Sequence, residues 1–444
     1  MCCSQDSARR AKPRIGSDAR DVRDPAFSVH PDILFPGVMP RVLLVSEAPA
    51  LPDAQGASQT LRALFRNYPG PLRIVTLASA ATEADELDRV TVTDRIIPRR
   101  INRLGPRAAK LRARLDFAII TWLGPVRRIA TGFRPDVIIV CPLGTWGVAI
   151  GAAAARFTGA PLITYFMDDW PGASDPFPGV ARILQQADGW LVISERLRDA
   201  FVARYRPSAP PTLVVHNPAR PSATLPRVVP TTSTRPFRVV YAGSIWPMHL
   251  DALAATANAI AGLREQGVAA QLVLHTPPSF WNAHESMWHD LGVENGGLLP
   301  HSLLQVHLRD ADLLLVAASF LPEQAPMSQS SVQTKLTDYL AAGTPILGVG
   351  PPGAASLDLV DRWGVGLTCA SADPTSIAAT LRNWIEHPPD RNTLANRAHE
   401  VLTLHFDPNI VCPRLWHFIA DIAALARRPA SQQALGVMPP DAVA

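Results

Sequence analysis

The chain of 444 residues is 47% hydrophobic and 18% charged, which excludes an intrinsically disordered protein and implies more than one core. Its formal net charge of +4 is uneven, because Arg95 to Arg134 holds eleven basic residues against the single acid Asp116; that patch points to an anionic surface, and no nucleic-acid recognition module accompanies it. Five scattered cysteines, Cys2, Cys3, Cys141, Cys369 and Cys412, lack metal-ligand spacing and argue against a disulfide framework or a zinc site and for a reduced, cytoplasmic protein.

Residues 1–38 are polar, proline-bearing and aperiodic and read as a disordered leader; MPRVLLVS, from Met39, opens directly on a strand. Apolar runs suited to buried parallel strands follow at Arg41–Ser46, Leu72–Leu77, Asp136–Val140, Leu162–Phe166, Gly189–Ile193 and Thr212–Val215, with a helix near Ser58–Phe65. A Pro/Ser/Thr-rich segment between Arg220 and Pro236 reads as a linker. The pattern restarts at Arg238–Ala242, Gln271–His275, Asp312–Val316, Ile346–Val349 and Val365–Cys369. Strands alternating with helices in two series predict an α/β chain of two Rossmann-like domains with parallel sheets.

Val137–Ala155 carries no charge and has nearly the length of a membrane span, but Pro142, Gly144, Gly147 and Gly151 divide it into strand, turn and Ala-rich helix. Within the basic patch, Arg107, Lys110 and Arg114 share one helical face, and Leu111, Leu115, Ala118 and Trp122 share another. Arg99 to Trp122 is therefore a candidate for an anionic membrane surface, set against the plainer reading of a surface helix packed on a sheet.

Two motifs compete in KLTDYLAAGTPILGVGPPGAASL. Gly348, Gly350 and Gly353 spell G-x-G-x-x-G, yet Pro351 and Pro352 remove two amide donors from the loop that would cradle a pyrophosphate. A milder role leaves Gly353 opening a helix whose N-terminus faces a phosphate. Upstream, Lys335 and Asp338 lie three apart on a helix predicted over Ser331–Ala342, with Gly343 as its stop. Lys335 is one of only three lysines among 42 basic residues, a point charge in a chain that otherwise uses arginine. A cation beside a carboxylate can hold a nucleotide sugar through its diphosphate and ribose; the plain alternative is a surface ion pair.

KLTDYLAAGTPIL resembles the K-L-x-E-Y-L-A-A-G-x-P-I-L segment of retaining glycosyltransferases of the GT-B fold, family 4. RPDVIIV (Arg134–Val140), TGAPLITYFMDDWP (Thr158–Pro171), ADGWLVISERLRDAF, VVHNP (Val214–Pro218), VVYAGSIWPMHLDAL and ADLLLVAAS (Ala311–Ser319) are similar to other segments of that family, in order, over most of Arg41–Ala420. The resemblance implies an acceptor domain over 39–220, the linker at 221–236 and a donor-binding domain over 237–405. A C-terminal helix over 406–426 returns to the first domain, and a flexible tail occupies 427–444. Two sheets would face each other across a cleft where a sugar passes from a nucleotide-sugar to a glycan or lipid-linked acceptor in polysaccharide biosynthesis, at the cytoplasmic face of a membrane. By position, Lys335 would contact the diphosphate, Asp338 the ribose, Gly243 and Ser244 the phosphate turn, and Gly56 the acceptor-side loop, with Asp168 and Asp169 facing the cleft. No cofactor or metal is expected, because fixed donors take the metal's place.

Three positions depart from the family pattern. Ser330 stands where a glutamate commonly lies near the transferred sugar; Asp338 replaces a glutamate; and His249 is the nearest substitute for a basic residue after the Gly-Ser turn. They keep two alternatives open: a non-catalytic donor-binding or scaffold subunit, and a nucleotide-sugar epimerase of similar fold. Asp310-Ala-Asp312 imitates a metal-binding D-x-D but precedes its strand, Ser194 lacks the G-x-S-x-G context, and His275, His284, His289, Trp281 and Trp288 read as a mobile loop and helix beside the donor cleft.

Overall fold

The computed structural model describes residues 38–51, 56–77, 86–92, 105, 107, 111, 125–173, 178–206, 208–220 and 235–425. Residues 1–37, 221–234, 426–444 and nearly all of Arg99–Trp122 lie outside the described residues, and with them the expectations of a leader, a linker, a tail and a membrane-facing helix.

Two all-parallel sheets organise the chain. The first contains β1 (Val42–Ser46), β2 (Leu72–Leu77), β3 (Arg89–Val92), β4 (Val137–Cys141), β5 (Leu162–Phe166), β6 (Gly189–Val192) and β7 (Thr212–Val214), in the order β3-β2-β1-β4-β5-β6-β7. The second contains β8 (Phe237–Ala242), β9 (Ala270–His275), β10 (Glu294–Asn295), β11 (Leu313–Ala317), β12 (Ile346–Val349) and β13 (Gly366–Cys369), in the order β10-β9-β8-β11-β12-β13. Each sheet starts at its middle, grows outward on one side, then reverses. The reversal leaves a crevice at the carboxyl ends, between β1 and β4 in the first sheet and between β8 and β11 in the second.

The apolar runs become strands because both sheet faces are covered: every residue of VLLVS, VIIVC, LITYF and LLLVA is buried. The edge strands β3 (RVTV), half-buried with only Val92 in the core, and β10 (EN), exposed, have no such run, and the hydrophobic pattern does not reveal them. The charge-free Val137–Ala155 divides into β4 and the helix Thr145–Thr158, which stops at Gly159 (φ 66°). A Cβ at Gly151 would lie 2.1 Å from Val140 Cγ2, so this helix rests directly on its strand. Among the described residues no helix is long and apolar enough to cross a membrane.

The helix predicted over Ser331–Ala342 begins at Lys335 instead. Ser331 and Gln333 spend their polar groups elsewhere: the Ser331 hydroxyl donates to Asp168, and the Gln333 side-chain amide donates to the Ala317 carbonyl at 2.7 Å. The last helix, Pro408–Leu425, packs on the first sheet's layer. Trp416 Nε1 donates to the Leu64 carbonyl at 3.1 Å, and Ile422 and Phe418 close over Gly189.

Candidate functional site

The crevice of the second sheet is shaped by a tyrosine. β8 and β11 pair only at Val239↔Leu313 and Val240↔Leu314. Beyond that point the Tyr339 hydroxyl spans the gap, accepting from Ala242 N–H (2.9 Å) and donating to the Leu315 carbonyl (3.2 Å). Lys335 lies one helical turn before Tyr339 and enters the same crevice. Its Nζ is buried 3.8 Å from the centre of the Tyr241 ring and has no hydrogen-bond acceptor. Gly243 follows β8 with φ +125°, and a Cβ there would come 3.3 Å from Lys335 Cε, so the glycine permits both the turn and the lysine.

Beside the lysine lies a second orphaned nitrogen. His249 turns Nδ1 toward the Tyr241 hydroxyl (3.1 Å), the Ser244 carbonyl (3.3 Å) and the Trp246 amide (3.4 Å), and that hydroxyl gives its one proton to the Ser244 carbonyl at 2.7 Å. The other ring nitrogen, Nε2, is buried without a partner. Burial pushes the Lys335 pKa well below its ordinary value. Burial first, and then the neighbouring Lys335 charge, push His249 down as well. Two buried nitrogens without partners, one of them an ammonium, are costly to maintain, and they make the crevice receptive to an anion that would hold both in their protonated forms.

Asp338 points elsewhere. Its Oδ1 lies 3.1 Å from His301 Nε2 and 3.4 Å from Gln305 Nε2. With Thr334 and Thr337 it lines a cavity of about 430 Å³ whose opposite wall is Gln59, Thr60 and Asn217. The Lys335–Asp338 ion pair weighed from the sequence does not form, because Lys335 Nζ is turned into the crevice without a hydrogen-bond partner.

The remaining sequence-derived candidates divide. Asp168 follows β5 and meets the second domain through Ser331, and burial raises its pKa to about 6. Asp169 is buried in an ion pair with Arg204 and accepts from Gly172 N–H at 3.1 Å, which occupies both of its oxygens. Ser330 turns its hydroxyl back onto the Pro326 carbonyl, while its own carbonyl accepts from Ser194 Oγ at 2.6 Å. Gly56 (φ +60°) precedes the helix Ala57–Phe65 with open space where a Cβ would be. Gly353 (φ +81°) sits against the Arg196 guanidinium at the seam between the domains, away from Lys335. Gly348 and Gly350 make room for Leu357 and Ala318, which is packing.

The discounted motifs have structural roles. Asp312 is buried under Arg235 (2.6 Å) and Arg391 (3.1 Å), and Asp310 pairs with Arg238. Ser194 caps the helix Glu195–Tyr205. Trp281 and Trp288, read from the sequence as part of a mobile element, are fully packed core residues on the short helices Pro278–Asn282 and Glu285–Asp290. Among the described residues no group of three His, Cys, Asp or Glu could hold a metal ion. Tyr241, Tyr339, His301 and Ser331 escaped sequence reasoning. His301 lies in no recognised segment; the others do or lie beside one, but the contacts that place them at the site, Tyr241 with Lys335, Tyr339 with Ala242 and Ser331 with Asp168, join distant positions.

No family model matches the sequence, and no curated protein matches it. Solved structures do match in fold. Anabaena HepE in complex with UDP and glucose has a TM-score of 0.61 at 14% identity, covering 85% of this chain and 98% of its own. Sucrose-phosphate synthase from Thermosynechococcus elongatus has a TM-score of 0.62 at 14% identity over 86% and 99%. An α,α-trehalose-phosphate synthase from Burkholderia xenovorans, in complex with glucose-6-phosphate, has a TM-score of 0.58 at 12% identity over 86% and 99%. These likenesses, together with the two parallel sheets, establish the GT-B fold.

Proposed function

We propose that the protein is a glycosyltransferase that takes a sugar from a nucleoside-diphosphate donor and passes it to a glycan or lipid-linked acceptor, in polysaccharide assembly at the cytoplasmic face of a membrane. The observation that carries this reading is the buried Lys335 Nζ, unpartnered beside the Gly243 turn at the crevice of the second sheet. A diphosphate oxygen there would satisfy Lys335 and His249 Nε2 together and restore their charges. Asp338, in the cavity lining, offers a carboxylate to accept from a ribose diol. The reaction then needs no protein nucleophile. Fixed donors stabilise the departing diphosphate in a site closed to water, and Asp168 presents a carboxyl from the acceptor side. Retention of configuration belongs to this proposal through the sequence resemblance. HepE in complex with UDP-glucose makes a uridine nucleotide the first donor to test.

The test is thermal stabilisation by UDP, GDP and ADP, followed by release of the diphosphate from a panel of nucleotide sugars. A rise in Tm of ~3 °C or more with one diphosphate, abolished in Lys335→Ala, is expected. If no nucleotide moves Tm, the donor site is misassigned. One observation favours the non-catalytic alternative: the Ser330 hydroxyl is bonded to its own helix and offers a sugar nothing. Nucleotide binding without release from any donor would select that reading.

A further inference from the structure

Asp168 is tied to the segment that presents Lys335 by a continuous line of hydrogen bonds. Its Oδ1 accepts from the Ser331 hydroxyl. The Ser331 carbonyl accepts from Ser356 Oγ at 3.1 Å, and that Oγ accepts from Gln333 N–H at 3.1 Å. The Gln333 side chain donates to the Ala317 carbonyl, at the end of β11, at 2.7 Å. Two residues later the Lys335 helix begins. Ser194 holds the preceding carbonyl, that of Ser330, from the first domain. Residues 330–334 are thus gripped by both domains just before the lysine.

We propose that Ser331 is a positioning residue: its hydroxyl fixes the Asp168 carboxyl against the donor segment and leaves Oδ2 to accept a hydroxyl of the sugar substrate. The purpose rests on the glycosyltransferase reading; the contact does not. Asp168 Oδ2 makes no hydrogen bond among the described residues, whereas Asp169 has both oxygens engaged. The serine stands one place after Ser330, where the family that the sequence resembles commonly carries a glutamate, so the polar contact comes from the next residue and works through the other domain.

The groups facing Asp168 are few. Asp169 is neutralised by Arg204, and Cys141 and Tyr165 are buried and un-ionised in the ordinary pH range. Glu47 lies beyond Cys141, its oxygens accepting from Leu143 N–H (2.9 Å) and Gly147 N–H (2.8 Å). Burial raises the Asp168 carboxyl, the Ser331 hydrogen bond lowers it, and Asp169 raises it. Ser331 is therefore the one partner whose removal leaves the carboxylate less stable.

The alternative is that Ser331 is one more contact of a seam that also holds Arg196–Asp358 at 2.7 Å and Arg362–Glu195 at 3.7 Å. A titration of protein labelled with ¹³C at aspartate carboxyls separates the two, with the Asp168 signal assigned by its loss in Asp168→Asn. The wild-type midpoint is expected near 6. Ser331→Ala should move it up by ~0.5–1 unit, Ser331→Thr should restore it, and Arg196→Ala should leave it in place. An unmoved midpoint in Ser331→Ala, or an equal shift in Arg196→Ala, overturns the proposal. Because the titration needs no substrate, it decides the contact even if UDP fails to bind; failure of UDP to bind would count against the donor reading alone. Where a nucleotide sugar is turned over, Ser331→Ala should shift the acid limb of kcat in the same direction with UDP affinity within twofold of wild type.

Discussion

At the scale of single residues, the most consequential group is the Lys335 ammonium. Burying a cation without an acceptor is costly, and the Tyr241 ring face offsets only part of that. Lys335→Ala should weaken UDP binding by ~10–100-fold, the worth of a charge-assisted contact in a dry site. Lys335→Arg should not rescue it, because a planar fork replaces a point charge whose stem is packed so close that a Cβ at Gly243 would come 3.3 Å from Lys335 Cε. Burial holds both Lys335 and His249 below their ordinary pKa values. An anion raises both, so UDP binding should take up protons and weaken as pH rises. Calorimetry in two buffers of different ionisation enthalpy reads the uptake, and Lys335→Ala should reduce it. Of this site the sequence showed the lysine, through its rarity and its motif; it could not show the lysine's isolation, which depends on where Tyr241 and Gly243 come to lie.

At the scale of elements, the helix Lys335–Ala342 sets the site. It stops at Gly343 in the left-handed region (φ 69°), whose N–H closes onto the Tyr339 and Leu340 carbonyls. Gly343→Ala should destabilise the protein by ~1–2 kcal/mol in urea unfolding, Gly343→Asn by less, and neither should alter UDP affinity, since the lysine sits at the other end. The stop was legible because a glycine followed by Thr-Pro has few other meanings. The start was not. Nothing in Ser331 to Thr334 forbids a helix, and contacts to Asp168, Ala317 and Ser356 keep Ser331 and Gln333 out of it. The same reasoning covers the edge strands, where one partner and a wet face impose no apolar pattern.

At the scale of the whole molecule, the two domains meet around the crossing after β7. Ala219 N–H donates to the Phe406 carbonyl at 2.9 Å, and the His216 ring packs between Phe406 (5.3 Å) and Trp363 (6.3 Å). Burial lowers the His216 pKa to about 4 from an ordinary 6.5. Between those values the unfolded chain binds a proton that the folded chain refuses, so this group's contribution is fully present above pH 6.5 and lost as pH falls toward 4. Asp168, raised from 3.8 to about 6, acts in the opposite sense: the folded chain holds the extra proton, and stability is lost as pH rises through that window. Unfolding free energies from pH 4 to 7 should therefore show the acid-side loss shrink in His216→Phe, by at most ~3 kcal/mol, and grow in Asp168→Asn. An unchanged acid-side slope in His216→Phe would show that the ring is not the group responsible.

The sequence alone determined the two α/β domains, most strand positions and the stop of the lysine helix. These follow from local causes: unbroken apolar runs mark strands buried on both faces, and glycine with proline ends helices. Only the tertiary structure decided which candidates converge. It separated Lys335 from Asp338 by turning one into the crevice and the other into a cavity, and it spent Asp169 on Arg204. The physical reason is the same each time: whether a polar side chain is free or engaged depends on partners from 35 to more than 160 positions away, and no local pattern carries that information.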